Sequence, residues 1–327
     1  MAVLVTGGAG FLGHHLIKVL LERGRDVIAL DSLWTGSVDN IRDFESSKHF
    51  AFIKHDVRDV LPITEPVEEI YHLACPASPD QFENAINILD TCYQGTRNVL
   101  EFAVKHNARV LLASTSEVYG DPTIPTQAET YFGNVNCFGP RSCYDEGKRV
   151  SEALCYSYHT QNNLDIRVAR IFNSYGPYMD FKDGRAVPNF IAAAMENRTI
   201  SIYGDGQATR CFQYATDCVV GMVKLMESDY DKPVNLGSDL EMSVGDIARM
   251  VAKVVAEKMG REEAVGVELL PKRKDDPMQR KPEIAVARDV LGWKTEVSLE
   301  EGMAMTVDWF LERRGKMTNG HGSHKPT

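Results

Sequence analysis

Two short segments of this chain carry side chains that could do chemistry together. Ser114-Thr115-Ser116-Glu117-Val118-Tyr119-Gly120 sets three hydroxyls and a carboxylate side by side. Tyr144-Asp145-Glu146-Gly147-Lys148 places a phenol and an ammonium at i and i+4. On a helix that spacing puts both on one face, about a turn apart. An ammonium favours the ionised phenol, so the Tyr144 pKa is expected to fall. Such a phenol takes the proton of an alcohol while a hydride leaves the same carbon. The hydroxyl and carboxylate groups upstream are then available to act on a second bond. The pattern implies oxidation of a sugar hydroxyl followed by a further step.

A third segment offers a place for the electron acceptor. Gly7-Gly8-Ala9-Gly10-Phe11-Leu12-Gly13 follows the first strand-like run and opens a helix-like one. In that setting Gly7, Gly10 and Gly13 let the backbone turn sharply and approach a pyrophosphate at a helix N-terminus. Asp31 ends the second strand-like run, where a carboxylate accepts hydrogen bonds from an adenosine ribose and disfavours a 2′-phosphate. NAD is therefore expected rather than NADP. Asp56 and Val57 are expected to border the adenine. Phe11, Leu12, Leu73 and Ala74 complete the cofactor-facing set, with Tyr144 and Lys148 at its far end.

These residues need a sheet to position them. Val3–Thr6, Val27–Leu30, Phe50–Lys54, Glu69–Leu73, Val110–Ala113 and Ile166–Arg170 read as strands, mostly short apolar runs suited to parallel strands covered on both faces. Helical patterns lie near 11–23, 84–106 and 143–161. The alternation predicts an α/β, Rossmann-type doubly wound parallel sheet. Beyond it, helical patterns near 188–196, 214–227, 243–258 and 298–313 alternate with turns such as Tyr203-Gly204-Asp205-Gly206 and Asp275-Asp276-Pro277. Residues 1–174 are expected to form the nucleotide domain, with a return near 212–238 through Val234–Leu236. Residues 175–211 and 239–315 are expected to form a smaller, interleaved substrate lobe, and 316–327 a disordered tail.

Composition narrows the class. At 327 residues with a formal net charge of -10, the chain is large enough for a sizeable core and unsuited to nucleic acid or an anionic membrane. Seven cysteines with no Cys-x-x-Cys pair fit reduced thiols in a cytoplasmic protein better than a disulfide framework or zinc site; no metal is expected. A strand-like run from Ala2 leaves no room for a signal peptide, and no apolar run reaches membrane-spanning length.

Further segments carry a resemblance. They are His72-Leu73-Ala74-Cys75-Pro76-Ala77-Ser78-Pro79, Asn134-Val135-Asn136, Gly139 through Arg149, Arg170-Ile171-Phe172-Asn173-Ser174-Tyr175-Gly176-Pro177, and Asp275 through Ile284. With the glycine loop and Tyr-x-x-x-Lys, the chain resembles the extended short-chain dehydrogenases/reductases. From about residue 2 to 313 it resembles the UDP-glucuronic acid decarboxylases, or UDP-xylose synthases. It departs from that pattern at Phe82 (often Tyr), Cys92 (Asn), Cys137-Phe138 (Pro-Ile) and Tyr178 (Arg). None of these removes a presumed catalytic group, though Cys92 and Tyr178 bear on cofactor or substrate contacts.

The resemblance implies a reaction. Oxidation of UDP-glucuronic acid at carbon 4 makes a β-keto acid. Loss of carbon dioxide then leaves an enolate, and re-reduction gives UDP-xylose with NAD regenerated. Tyr144 would be the base and Lys148 its partner, holding the cofactor ribose. Thr115 would contact the carbon-4 oxygen. Ser116 and Glu117 would face carbon 5, the Glu117 carboxyl either ionised or protonated. Arg280 would stabilise charge or relay a proton. Arg210 suits the diphosphate; Asn173 and Arg185 suit substrate or cofactor, and Tyr203 the uracil. Rival readings are a UDP-apiose/xylose synthase, a decarboxylase that releases the 4-keto pentose, a 4-epimerase and a 4,6-dehydratase. Ser116 argues against the first and last, and Glu117 against the epimerase. A silent NAD-binding regulator would have lost Tyr144, Lys148 or Glu117. The stripes Leu89, Tyr93, Thr96, Leu100, Ala103 and Val150, Leu154, Tyr158 are expected to pair two subunits through a four-helix bundle.

Overall fold

The computed structural model describes residues 2–272 and 277–320, with the side chains of 316–320 left aside. In chain order the first half contains β1 (Ala2–Thr6), α1 (Phe11–Glu22), β2 (Val27–Asp31), β3 (Phe50–Lys54), β4 (Val67–His72), α2 (Ala85–Asp90), α3 (Thr96–His106), β5 (Arg109–Thr115), α4 (Ser142–Asn162) and β6 (Ile166–Ile171). The second half contains β7 (Ser174–Tyr175), α5 (Ala186–Met195), β8 (Ile200–Tyr203), β9 (Thr209–Cys211), β10 (Gln213–Tyr214), α6 (Ala215–Glu227), β11 (Pro233–Leu236), β12 (Glu241–Ser243), α7 (Val244–Lys258), β13 (Val267–Leu270), β14 (Gln279–Arg280), α8 (Ala285–Leu291) and α9 (Leu299–Gly320).

Seven of these strands form one parallel sheet in the order β11-β6-β5-β4-β1-β2-β3. Side-chain alternation feeds two cores. Val3 and Val5 of β1 pack with Leu16, Leu20, Val219 and Val223 on one face, while Leu4 joins Val99, Leu100 and Val168 on the other. A third core of α5, α7 and α9, centred on Ile191, Val251, Val255 and Phe310, builds the second lobe. The chain runs outward from β1 in both directions. This makes the β1/β4 boundary the switch point where the carboxyl ends of an open α/β sheet leave a crevice.

Three features differ from the sequence reading. The helix expected over 84–106 is interrupted by a π-helical turn at Thr91–Gly95. Periodicity hides one extra residue in a turn, and a Ser151 hydroxyl 2.9 Å from the Cys92 carbonyl serves a backbone group in the altered ladder. The interleaving also extends beyond 212–238. Ala287, Leu291 and Trp293 pack into the core of the main sheet, and the Trp293 indole donates to Asp217 O at 2.9 Å. Finally, α9 runs to Gly320, so its backbone covers the start of the expected tail; 321–327 lie outside the described residues, as do Asp275 and Asp276. Among the described residues no helix is long and apolar enough to cross a membrane.

Candidate active site

The nucleotide end is made mostly of backbone. Gly7 turns with φ +72°, and a Cβ on Gly13 would lie 2.3 Å from Gly7 O. Helix α1 therefore starts against the turn with no side-chain cap at Gly10. Its first-turn N–H groups have no intrahelical partners, as an anion site requires. Asp31 accepts from Ala9 N at 3.0 Å and Leu33 N at 2.8 Å. Burial pushes its carboxyl pKa up, against those two donors. This cradle, with the Asp31 carboxylate beside it, fits a dinucleotide. The Asp56 carboxylate also reaches the cavity wall but is engaged by Arg58 Nη2 at 2.7 Å.

A cavity of about 500 Å³ runs from this cradle to the second lobe. Its lining includes every candidate named from sequence: the glycine loop, Asp31, Asp56, Val57, Leu73, Ala74, Thr115, Ser116, Glu117, Tyr144, Lys148, Asn173, Arg185, Tyr203, Arg210 and Arg280. Tyr203 ends β8 half-exposed. Arg210 on β9 is buried and donates to Thr209 O at 2.8 Å. Arg185 precedes α5, pairs with Asp183, and lies with its guanidinium 5.8 Å from the centre of the Phe11 ring. Tyr178 also lines the cavity, its ring stacked on His14 with centroids 3.4 Å apart. Among the described residues no cluster of three or more His, Cys, Asp or Glu is arranged for a metal.

The chemical end is made of charge. Tyr144 and Lys148 both face inward from α4, as their spacing requires. The Thr115 side chain, with Lys148, favours the ionised phenol, and Lys148 Nζ donates to Ala113 O at 2.9 Å. The expected fall in the Tyr144 pKa is not what the chain alone gives. Burial pushes the phenol up to about 12, outweighing the opposing ammonium of Lys148. An ionised phenol deep in the protein needs a further positive charge beside it.

Glu117 sits in the short helical turn Ser116–Tyr119 that follows β5. Burial opposes its ionisation, but Arg280 and Arg141 overcome this and hold its carboxyl at about 2. Arg280 reaches it in a two-pronged contact at 2.8 and 2.6 Å, and Arg141 Nη2 at 2.8 Å. Without substrate, the ionised alternative for Glu117 is the one favoured: a buried carboxylate held by two cations. Arg280, in a Lys/Arg-rich stretch, is itself buried. Arg141 and Asp145 were given no role from sequence. Arg141 stands three residues before Tyr144 at the mouth of α4, and that spacing was the available signal. Asp145 lies behind it, its Oδ2 3.9 Å from Arg141 Nε and its Oδ1 without a hydrogen-bond partner among the described residues. Burial, with Glu117 adding to it, raises the Asp145 carboxyl to about 7 against the pull of both arginines. Phe82 stacks near Tyr144, their ring centres 5.9 Å apart.

This fold, with a dinucleotide cradle joined to a Tyr/Lys/Thr/Glu cluster, defines a Rossmann-type class to which nucleotide-sugar dehydratases and epimerases belong. The GDP-mannose 4,6 dehydratase family matches residues 4–306. Among solved structures, dTDP-glucose 4,6-dehydratase DesIV from Streptomyces venezuelae, with NAD and TYD bound, superposes with a TM-score of 0.86 at 28% identity, over 97% of this chain and 98% of that one. UDP-glucose 4-epimerase from Thermotoga maritima, with UDP-glucose, gives 0.86 at 26% identity over 96% and 100%. Sequence relatives narrow the class. UDP-glucuronic acid decarboxylase 2 of Arabidopsis thaliana is 45% identical over 314 residues, 96% of this chain and 69% of that protein. UDP-glucuronic acid decarboxylase 1 of Xenopus tropicalis is 45% identical over 325 residues, 99% and 75%. The chain belongs to the UDP-glucuronic acid decarboxylase family.

Proposed function

We propose that this chain is an NAD-dependent carboxy-lyase that converts UDP-glucuronic acid to UDP-xylose. The observation that carries the reading is the Glu117–Arg141–Arg280 cluster, which lines the same cavity as Tyr144. Two guanidiniums and one ionised carboxylate leave a net positive charge beside the base. That charge suits a sugar whose carboxylate must be held and then lost.

Gly7, Gly10, Phe11, Leu12 and Gly13 would hold the NAD pyrophosphate. Asp31 would hold the adenosine ribose, with Asp56 and Val57 at the adenine and Leu73 and Ala74 along the nicotinamide half. Bound there, NAD would supply a hydride acceptor for the oxidation at carbon 4 and the hydride donor for the final reduction. Tyr144 removes the carbon-4 hydroxyl proton, with Lys148 favouring the phenolate and Thr115 holding the oxygen. Carbon dioxide then leaves the β-keto acid, and the protonated Tyr144 donates to the enolate oxygen. Arg280, held by Glu117, orients the departing carboxylate. Ser116 and Glu117 guide the proton returned to carbon 5. Arg210 and Arg185 take the diphosphate, with Asn173 beside them, and Tyr203 lies along the uracil.

A homodimer is part of the same reading, with a revised surface. Thr96, Leu100 and Ala103 of the expected stripe are buried within the subunit, whereas Ile86, Leu89 and Tyr93 are exposed. We assign the subunit contact to that remaining face together with Tyr156 of α4. Sedimentation of wild type as a dimer and of Tyr93→Glu as a monomer is expected. Seven free thiols favour a reducing compartment, the cytoplasm.

Proton NMR of the protein with UDP-glucuronic acid and a small amount of NAD tests the assignment. UDP-xylose in excess of the added NAD is expected. UDP-4-keto pentose with stoichiometric NADH would remove the final reduction, and UDP-galacturonic acid would replace decarboxylation with epimerisation.

A further inference from the structure

A sulfur pair at the edge of the cavity takes no part in the proposed reaction. Cys75 follows β4 and lines the cavity, and Cys92 is buried in the π-helical turn. Although 17 residues apart in sequence, their Sγ atoms lie 3.2 Å from each other. We propose that Cys75 and Cys92 form a reversible disulfide site, with a low-molecular-weight disulfide as oxidant, and that the bonded form is catalytically impaired.

The geometry requires little movement. A disulfide bond is about 2.05 Å long, so the sulfurs must approach by roughly 1.2 Å. Cys75 lies in the loop after β4, and Cys92 in a turn where the helical ladder is already altered, so both sides can give. The two thiols also differ in reactivity. The Cys92 thiol holds Cys75 at about 7 against burial, and Lys148 adds to the effect. The same contact and burial push Cys92 well above the usual thiol range. Cys75, reachable from the cavity, is the attacking thiolate, and Cys92 resolves.

The exchange balances. The Cys75 thiolate attacks one sulfur of the small disulfide, that S–S bond breaks, and one small thiolate leaves. Cys92 then loses its proton and attacks the Cys75 sulfur, displacing the second small thiolate. Two protein thiols become one disulfide as the small disulfide becomes two thiols.

Cys92 also touches the catalytic helix. A Cβ on Gly147, between Tyr144 and Lys148, would lie 2.9 Å from Cys92 Sγ. The Ser151 hydroxyl bonds the Cys92 carbonyl at 2.9 Å and reaches Gly147 O at 3.0 Å. Drawing Cys92 toward Cys75 therefore shifts the support of both Tyr144 and Lys148. A displacement of about 1 Å can cost on the order of 10²-fold in rate. This consequence rests on the roles assigned to those two residues; the bond itself does not.

The test incubates the full chain with glutathione disulfide, alkylates the remaining thiols, and reads intact mass, peptide map and turnover. A Cys75–Cys92 linked peptide is expected, with the mass lower by two hydrogens at that pair. Turnover should fall at least about tenfold, and dithiothreitol should restore both. Cys92→Ser should trap Cys75 as its mixed disulfide with glutathione, a readout independent of activity. Exposed Cys137 reports that the oxidant has acted. Modification of Cys137 with both Cys75 and Cys92 still alkylated would overturn the proposal, as would a link from Cys75 to the neighbouring Cys143. A Cys75–Cys92 link with unchanged turnover would overturn its second half. Because the link is read by mass, it is decided separately from the decarboxylase assignment.

Discussion

The two ends of the cavity are built from different materials. At the nucleotide end, one continuous run, Gly7–Gly13, makes a backbone cradle, and the decisive feature is the absence of side chains. At the chemical end, Glu117 after β5, Arg141 before α4 and Arg280 on β14 come from three distant segments and touch through charged atoms at 2.6–2.8 Å. The first end is fixed by steric room. The second is fixed by a balance of burial against charge. Substitutions at the first should therefore act on binding and stability, and those at the second on rate and its pH dependence.

The largest effect should come from Tyr144→Phe, which keeps the ring packed against Phe82 and removes only the hydroxyl. Turnover should fall by on the order of 10³-fold with NAD binding retained. Wild-type-like turnover would end the general-base assignment. Glu117→Gln comes next. It leaves Arg141 and Arg280 facing each other in a buried site, and breaking such a cluster costs about 3–5 kcal/mol. A lower melting temperature is expected together with roughly 100-fold slower turnover. A variant with unchanged kcat but a raised KM would make Glu117 a binding residue only. At the other end, Gly13→Ala pushes a Cβ into Gly7 O, a backbone atom that cannot swing aside. Overpacking of this kind costs about 1–3 kcal/mol. Calorimetry should show weaker NAD binding, and kcat at saturating NAD should change little. A loss confined to kcat would dissolve the division between the two ends.

The same division explains what could be read from sequence. The glycine loop, Asp31 and the Tyr144/Lys148 pair depend on local spacing, and spacing is written in order along the chain. The parallel sheet was legible because most of its strands carry short apolar runs that alternate with helical patterns. The π-helical turn was hidden because one extra residue in a helical ladder barely disturbs the apolar pattern. The Glu117 charge state was hidden because it depends on two arginines, one 24 residues and the other 163 residues away. The Tyr144 phenol shows the same limit: adjacency to Lys148 suggested a lowered pKa, whereas burial, visible only in three dimensions, wins. The dimer stripe failed in part for the converse reason, since Thr96, Leu100 and Ala103 have a partner face within their own subunit.

Asp145 sharpens the comparison most finely, because its effect is small and its sign is fixed. Its carboxyl, raised to about 7 chiefly by burial and then by Glu117, is neutral below that pH and ionised above it. With Asp145 neutral, Arg141, Arg280 and Glu117 leave one net positive charge. With it ionised, that charge is cancelled. Attraction for the substrate carboxylate should therefore weaken as pH rises through about 7, and KM for UDP-glucuronic acid should climb, while NAD affinity at the distant cradle stays level. Asp145→Asn keeps the shape and removes the titration, so its KM should stay near the low-pH wild-type value throughout. The difference above pH 7 should be less than about tenfold, one pKa unit being worth 1.36 kcal/mol. A KM profile for Asp145→Asn that still rises across the same range would assign the titration to another group. A parallel rise in the NAD dissociation constant would mean that the two ends are electrostatically one site.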